Sequence, residues 1–211
     1  MGDQRTLLRA GIEKLKLGLT PHQEEQLKRF LQSVLNENNK FNLTGIKDPR
    51  EATIKHLLDS LSITKKINAT SIADIGSGAG FPGIPLAIAK PGTNFVLVEA
   101  KQKKASFIKG AAKELGLLNV VVFGKRSEEV KIKKGVEAIV CRAIGSLSYF
   151  VEKTKHLLSE GGSLYAMKGK LSDDEIKKLP RDWCIAQIKK IDVPYLEAER
   201  HLIRVLKKNK K

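Results

Sequence analysis

The sequence predicts an α/β protein: a Rossmann-like seven-stranded sheet whose last two strands form an antiparallel hairpin, with an N-terminal helical extension. Three observations carry this. From Ser71 onward, short β-rich runs alternate with helical segments, the pattern of a parallel sheet joined by right-handed helical crossovers. Before Ser71 the apolar residues recur at spacings of three and four, as helices with one buried face require. Third, an apolar run ends in Gly76-Ser77-Gly78-Ala79-Gly80, and Glu99 lies 19 residues past Gly80 at the end of a second apolar run. In a βαβ unit the second strand ends beside the first turn, so an acidic residue at this distance suits a nucleoside ribose.

Each element has its own local reason. Residues 7–17 form an amphipathic helix ended by Gly18. Thr20-Pro21-His22-Gln23 reads as a capping box with proline at the first helical position. Leu27, Phe30, Leu31, Val34 and Leu35 then place one apolar stripe on a second helix, and polar residues 36–40 break it. Asp48-Pro49-Arg50-Glu51 caps a third helix through His56, Leu57, Leu58 and Leu61. Residues 1–65 thus make a helical extension and 66–211 the domain that carries the sheet. Five parallel strands are expected over 71–75, 94–99, 120–123, 136–141 and 163–168. Segments 183–191 and 200–206 have no helix between them and should pair antiparallel. The sum is the seven-stranded sheet of class I S-adenosylmethionine-dependent methyltransferases. Lysine-rich residues 207–211 should fray.

The glycines fit two registers. Gly78, Gly80 and Gly83 satisfy the dinucleotide pattern, but its feeder strand would hold a charge and a glycine, which is poor strand chemistry. Gly76, Gly78 and Gly80 follow a clean apolar strand with Asp74 two residues before the turn, where a carboxylate favours a cationic ligand. This register points to S-adenosylmethionine, with Asp74, Gly76, Gly78 and Glu99 in the cofactor site.

Composition bounds the partners. At 211 residues the chain buries one core without disulfides. Lys and Arg number 39 against 23 Asp and Glu, a net charge of +16 that points to a polyanion. The basic residues are scattered, which disfavours a membrane-surface helix, and no run approaches the length of a membrane span. The two cysteines, Cys141 and Cys184, lie in apolar stretches and read as packing residues of a reducing compartment. A cytoplasmic protein is expected, with no metal and a monomeric state. Phosphate contacts are expected from clusters such as Lys101, Lys103, Lys104, Lys125, Arg126, Lys131, Lys133, Lys134 and the tail 207–211, some of them serving only as solubility charge, and aromatic residues, at 5%, are too few for extensive base stacking.

Several strings occur together in order: Phe41-Asn42-Leu43-Thr44 with Asp48-Pro49, His56-Leu57-Leu58-Asp59-Ser60, the segment 74–85, Cys141-Arg142-Ala143, Met167-Lys168-Gly169 and Glu199-Arg200-His201-Leu202. Together they make the chain resemble the RsmG (GidB) family of small-subunit ribosomal RNA guanine-N7 methyltransferases over most of its length. The resemblance implies S-adenosylmethionine as cofactor and 16S ribosomal RNA of the small ribosomal subunit as partner, with transfer to N7 of one guanosine in the decoding region to give 7-methylguanosine. It implies cofactor contacts at Gly76, Phe81, Ser127, Glu128 and Arg142. The chain departs from the family at Cys141, Lys55 and Met167, where serine, arginine and leucine are usual.

Position supports these contacts. Ser127 and Glu128 follow the third strand, at the sheet edge where ligands gather, and Phe81 can cover an apolar cofactor face. For Glu128 a solvated helix start is the plain alternative. Arg142 ends the fourth strand where the methyl group should point, and is the expected catalytic residue. Its structural alternative is an ion pair with Asp74 or Glu99. Cys141 has no proline after it, unlike the nucleophile of the cytosine carbon-5 enzymes, and no Pro-Pro-aromatic string marks an exocyclic-amine enzyme. Asn42, Lys168, Arg200 and His201 are candidates for donating to the base, whereas His56 and Asp59 read as a helix-surface or interdomain pair. Three other functions remain open on the residues alone: a small-molecule methyltransferase, a nicotinamide-dependent oxidoreductase, and a noncatalytic RNA-binding or ribosome assembly factor.

Overall fold

A computed structural model describes residues 2–142, 145–170 and 172–208. Helix α1 (Gly2–Lys14) ends earlier than Gly18 suggested. Its stop is made by Lys16 at φ +54, with Leu17 N–H donating to the Ile12 carbonyl and Lys16 N–H to the Glu13 carbonyl. This double bond pattern closes the last turn with a left-handed residue, a task usually given to glycine. Helix α2 (Pro21–Asn38) has the full capping box: Thr20 Oγ1 accepts from Gln23 N at 3.2 Å, and Thr20 N donates to Gln23 Oε1 at 2.9 Å. Its stripe of Leu27, Phe30, Leu31 and Val34 is buried.

Helix α3 (Pro49–Ala52) starts on Asp48, whose Oδ1 accepts from Glu51 N at 2.7 Å. An unbroken helix to Leu61 is expected from the periodicity, but the backbone instead widens into a π turn (Thr53–Leu58) before α4 (Asp59–Leu61). The Asp59 N–H reaches back to the Ile54 carbonyl. Such turns are rare and cluster at functional sites.

The seven strands are β1 (Ser71–Ile75), β2 (Asn94–Val98), β3 (Val120–Phe123), β4 (Val136–Arg142), β5 (Leu158–Lys168), β6 (Trp183–Lys190) and β7 (His201–Lys207). Their spatial order is β3-β2-β1-β4-β5-β7-β6. The first five are parallel, whereas β7 inserts antiparallel between β5 and β6. Strand order reverses between β1 and β4, so a crevice must open at the carboxyl edge there. Helices α5 (Gly83–Ala89), α6 (Gln102–Glu114), α7 (Leu147–Thr154) and α8 (Asp173–Lys177) complete the order.

Two apolar cores flank the sheet. One joins Leu8, Leu27 and Phe30 of the extension to Ile72, Ile84, Phe95 and Ile108, so the extension shares its core with the sheet. The other packs Phe150 and Val151 of α7 on Ile139, Leu164, Ile203 and Val205. The expected fraying of residues 207–211 does not hold for the first two, since Lys207 ends β7 opposite Trp183 and Lys208 N–H donates to the Asp182 carbonyl at 2.8 Å; 209–211 lie outside the described residues, as does Ala143.

Candidate active site

Register builds the first half of the site. Ile75 pairs with Val98, so the turn after β1 and the residue after β2 emerge side by side. The Val98 carbonyl accepts from Gly76 N at 2.9 Å and Ser77 N at 3.1 Å. Gly76, Gly78 and Gly80 have φ of +72, +59 and +96, backbone that L-residues with a Cβ rarely adopt. Glu99 accepts from Gly78 N and from Lys101 N, both at 2.9 Å, through different carboxylate oxygens. Each oxygen keeps acceptor capacity, because an ionised carboxylate offers about four lone-pair sites. The resulting crevice, about 190 Å³, is lined by Ile75, Gly76, Glu99, Lys125, Ser127 and Glu128, with Tyr149 and Lys153 of α7 at its far wall.

Asp74 lies beneath this turn, fully buried. Its Oδ2 accepts from Gly83 N at 2.8 Å; a Cβ on Gly83 would sit 2.7 Å from that oxygen and 2.8 Å from Leu97 Cγ, so only glycine fits. The other oxygen, Oδ1, is buried and has no hydrogen-bond partner among the described residues. Burial pushes the carboxyl up to about 7, against the bond from Gly83 N that pulls it down; the Ser77 hydroxyl donates to the Asp74 main-chain carbonyl at 3.0 Å. The unfolded chain releases this proton near 3.8 while the folded chain holds it to about 7, so stability falls as pH rises through that window and is fullest below it. Asp74→Asn keeps the shape and removes the penalty. Its melting temperature is expected to exceed that of the parent by several degrees at pH 8 and to match it at pH 4, read by thermal unfolding at both values.

The second half lies on the same sheet edge, across the β1/β4 reversal. A cleft of about 460 Å³ is lined by Arg142, Met167, Lys168 and Gly169 from the ends of β4 and β5, by Arg200, and by Ile46, Lys55, His56 and Asp59 from the extension. Arg142 Nη1 donates to the Lys55 carbonyl at 2.8 Å and to Asp59 Oδ2 at 3.3 Å, and Nη2 lies 3.3 Å from His56 Nδ1. Since an arginine can only donate, Nδ1 is the acceptor and His56 carries its proton on Nε2, 2.7 Å from Thr44 Oγ1. Burial, and then Arg142, hold the imidazole at about 3, so it is neutral at working pH. The other Asp59 oxygen accepts from Arg200 Nε at 3.2 Å.

Most expected site residues fall at these two sites. Gly76, Glu99, Ser127 and Glu128 line the crevice, and Arg142, Lys168 and Arg200 line the cleft. Glu128 is exposed and is tied to Lys153 Nζ at 2.7 Å, a bond that holds its carboxyl near 2. Lys168 Nζ is engaged by Glu175 at 2.5 Å and by the Gly145 carbonyl at 2.9 Å. Phe81 differs from expectation. Its ring is 3% exposed and lies between Phe30, at 5.1 Å, and His56, stacked at 4.6 Å, so it props the cleft wall and lines neither depression. Arg142 does form an ion pair, but with Asp59, and neither Asp74 nor Glu99 is its partner. His56 and Asp59 are buried and both serve Arg142, which replaces the helix-surface reading. Asn42 is exposed and lines neither depression. His201 likewise stands outside the cleft wall, its Nδ1 2.8 Å from the Gly169 carbonyl. Tyr149 and Lys153 escaped sequence reasoning; their four-residue spacing on α7 was the one signal. Burial raises the Cys141 thiol well above its ordinary value, which removes it as a nucleophile.

Known proteins of this architecture share the sheet. A SAM-dependent methyltransferase from Aquifex aeolicus superposes with a TM-score of 0.56 at 14% identity, covering 81% of this chain and 97% of its own. A SAM-dependent O-methyltransferase from Thermotoga maritima gives 0.55 at 16% identity, with 84% and 72% covered. At such identities the likeness is one of fold. Sequence relatives are nearer. Ribosomal RNA small subunit methyltransferase G of Azoarcus sp. (strain BH72) is 43% identical over 194 residues, 92% of each chain, and that of Nitrosospira multiformis is 40% identical over 210 residues, 96% of this chain and 97% of its own. The family model for GidB, rRNA small subunit methyltransferase G, matches residues 23–203. A glycine turn beneath an acidic strand end, an arginine at the switch point and these relatives agree, and the chain belongs to the rRNA small subunit methyltransferase G family.

Proposed function

We propose that the chain transfers a methyl group from S-adenosylmethionine to N7 of one guanosine in the decoding region of 16S ribosomal RNA. The observation that carries this is the pair of depressions on one sheet edge, one at the glycine turn with Glu99 in its wall, the other basic, with Arg142 at the reversal of strand order. The donor set suits the cofactor. Glu99 offers acceptors to two ribose hydroxyls, Ser127 and Glu128 stand at the adenine end, and the partnerless Asp74 Oδ1 is the kind of oxygen that an ammonium satisfies. When bound, the cofactor supplies an electrophilic methyl on a sulfonium.

The protein's own part is positional. Guanine N7 bears an exposed lone pair, so no side chain need remove a proton. The neutral His56 and buried Cys141 are consistent with a site that has no general base. Arg142 spends three of its five donors on Lys55, His56 and Asp59, and the remaining two carry no hydrogen bond among the described residues. These two are free to donate to guanine O6, which leaves the N7 lone pair open to the methyl group. Lys55, Lys168 and Arg200 then meet the phosphates, while Met167 and Ile46 give an apolar wall that keeps water from the line of attack.

The test is labelled methyl transfer to small subunits that lack the modification, followed by mapping of the product. Label at N7 of a single 16S guanosine is expected. RNA affinity should fall about 10²-fold between 50 and 200 mM salt, while affinity for S-adenosylhomocysteine stays within about twofold, because only phosphate contacts release counterions. Label on another atom or another RNA would overturn the substrate assignment.

A further inference from the structure

We infer that Asp59 is a positioning residue that sets the orientation of both arginines of the basic cleft, so that the helical extension completes the active site. This rests on the function proposed above. Asp59 is 1% exposed, and its two oxygens serve two different chains of attachment: Oδ2 accepts from Arg142 Nη1 and Oδ1 from Arg200 Nε. The two arginines approach from opposite directions in the fold. Arg142 ends β4, and Arg200 immediately precedes β7, which runs antiparallel on the far side of β5. Nothing in the sheet ladder fixes either guanidinium. One buried carboxylate is the acceptor that both share.

The π turn explains how the extension reaches them. It delivers two acceptors to one guanidinium, the Lys55 carbonyl and His56 Nδ1, and sets the first residue of α4 to supply the third, Asp59 Oδ2. His56 is itself fixed by Thr44 Oγ1 on one side and by stacking on Phe81 below, and Arg142 Cζ lies 5.5 Å over the same ring. Phe81 is continuous with the glycine turn of the cofactor crevice. The extension, the turn and the arginine are therefore locked as one unit. A buried carboxylate shared by two arginines is no general aid to stability, since desolvating three charges costs about what their attraction returns. Its effect falls on geometry, because an arginine whose fork is fixed presents its remaining donors in one direction.

The experiment compares parent and Asp59→Asn, which keeps the shape and leaves one oxygen acceptor. Turnover on unmodified subunits is expected to fall about 10²-fold, the size of loss that a shift of about 1 Å in a positioned group produces. Adding Asp59→Asn to Arg142→Ala should cost far less than it costs the parent, the remainder being the share that acts through Arg200, whereas a residue that merely supports the fold would add its full loss. Nitrogen-detected NMR of the guanidinium groups gives a readout independent of RNA: hindered Arg142 and Arg200 signals in the parent, and in Asp59→Asn an averaged Arg200 signal and a faster-rotating Arg142, which keeps its bonds to Lys55 and His56, with backbone amides in place. If Asp59→Asn does not fold, the parent spectrum decides by itself, since guanidinium signals of Arg142 and Arg200 that average freely in the parent contradict a fixed fork. Parent-like turnover in Asp59→Asn, fully additive losses in the double variant, or an Arg200 signal as hindered in Asp59→Asn as in the parent each overturn the inference. Failure of the parent itself to label subunits refutes the proposed function, and the NMR comparison still decides the positioning.

Discussion

Arg142→Ala is expected to cut single-turnover methyl transfer about 10³-fold at saturating cofactor, the scale of removing a preorganised donor from a water-poor site. The side chain is 22% exposed at the rim of the cleft and has two donors free of protein partners among the described residues. Those donors act only once the base has arrived. Loss should therefore appear in the rate of the chemical step, with subunit affinity held by Lys55, Lys168 and Arg200. Truncation also leaves Asp59 with Arg200 as its one counter-charge, so the melting temperature must be read beside the rate. A rate within tenfold of the parent, in a folded variant, would remove Arg142 from the reaction.

Glu99→Ala should weaken S-adenosylhomocysteine binding about 10³-fold by calorimetry, since two hydrogen bonds to a charged group contribute about 1.5–3 kcal/mol each. The same carboxylate holds Gly78 N and Lys101 N, so the alanine variant also frees the glycine turn. Glu99→Gln separates the two effects. It keeps the volume and one good acceptor, and should bind at a level between parent and alanine variant. Unchanged affinity in both variants would end the ribose assignment and move attention to the Lys125–Glu128 side of the crevice.

The two arginine-linked predictions and the cofactor prediction probe different walls of one edge. Asp74 connects them from below: it is buried beside the glycine turn, and both Arg142 and Glu99 act on its charge. That a chain keeps a carboxylate whose ionisation opposes folding above about pH 4 argues for a functional reason at this position.

What the sequence alone determined is local. The glycine turn, the span of β1 over Ser71–Ile75, the capping box at Thr20 and the antiparallel end of the sheet all follow from neighbours within a few residues. Turn chemistry, caps and strand alternation act at that range. Glu99 was legible for the same reason, because one crossover fixes where the second strand ends. Tertiary structure decided the rest. Asp59 meets Arg142 across 83 residues and Arg200 across 141, a meeting set by strand order, by β7 entering between β5 and β6, and by a π turn that periodicity does not reveal. Phe81 shows the same limit: its place after the glycines suggested a cofactor cover, yet Phe30 and His56, distant in sequence, claim its ring. Side-chain partners over such separations depend on how whole elements pack, and no local propensity encodes that.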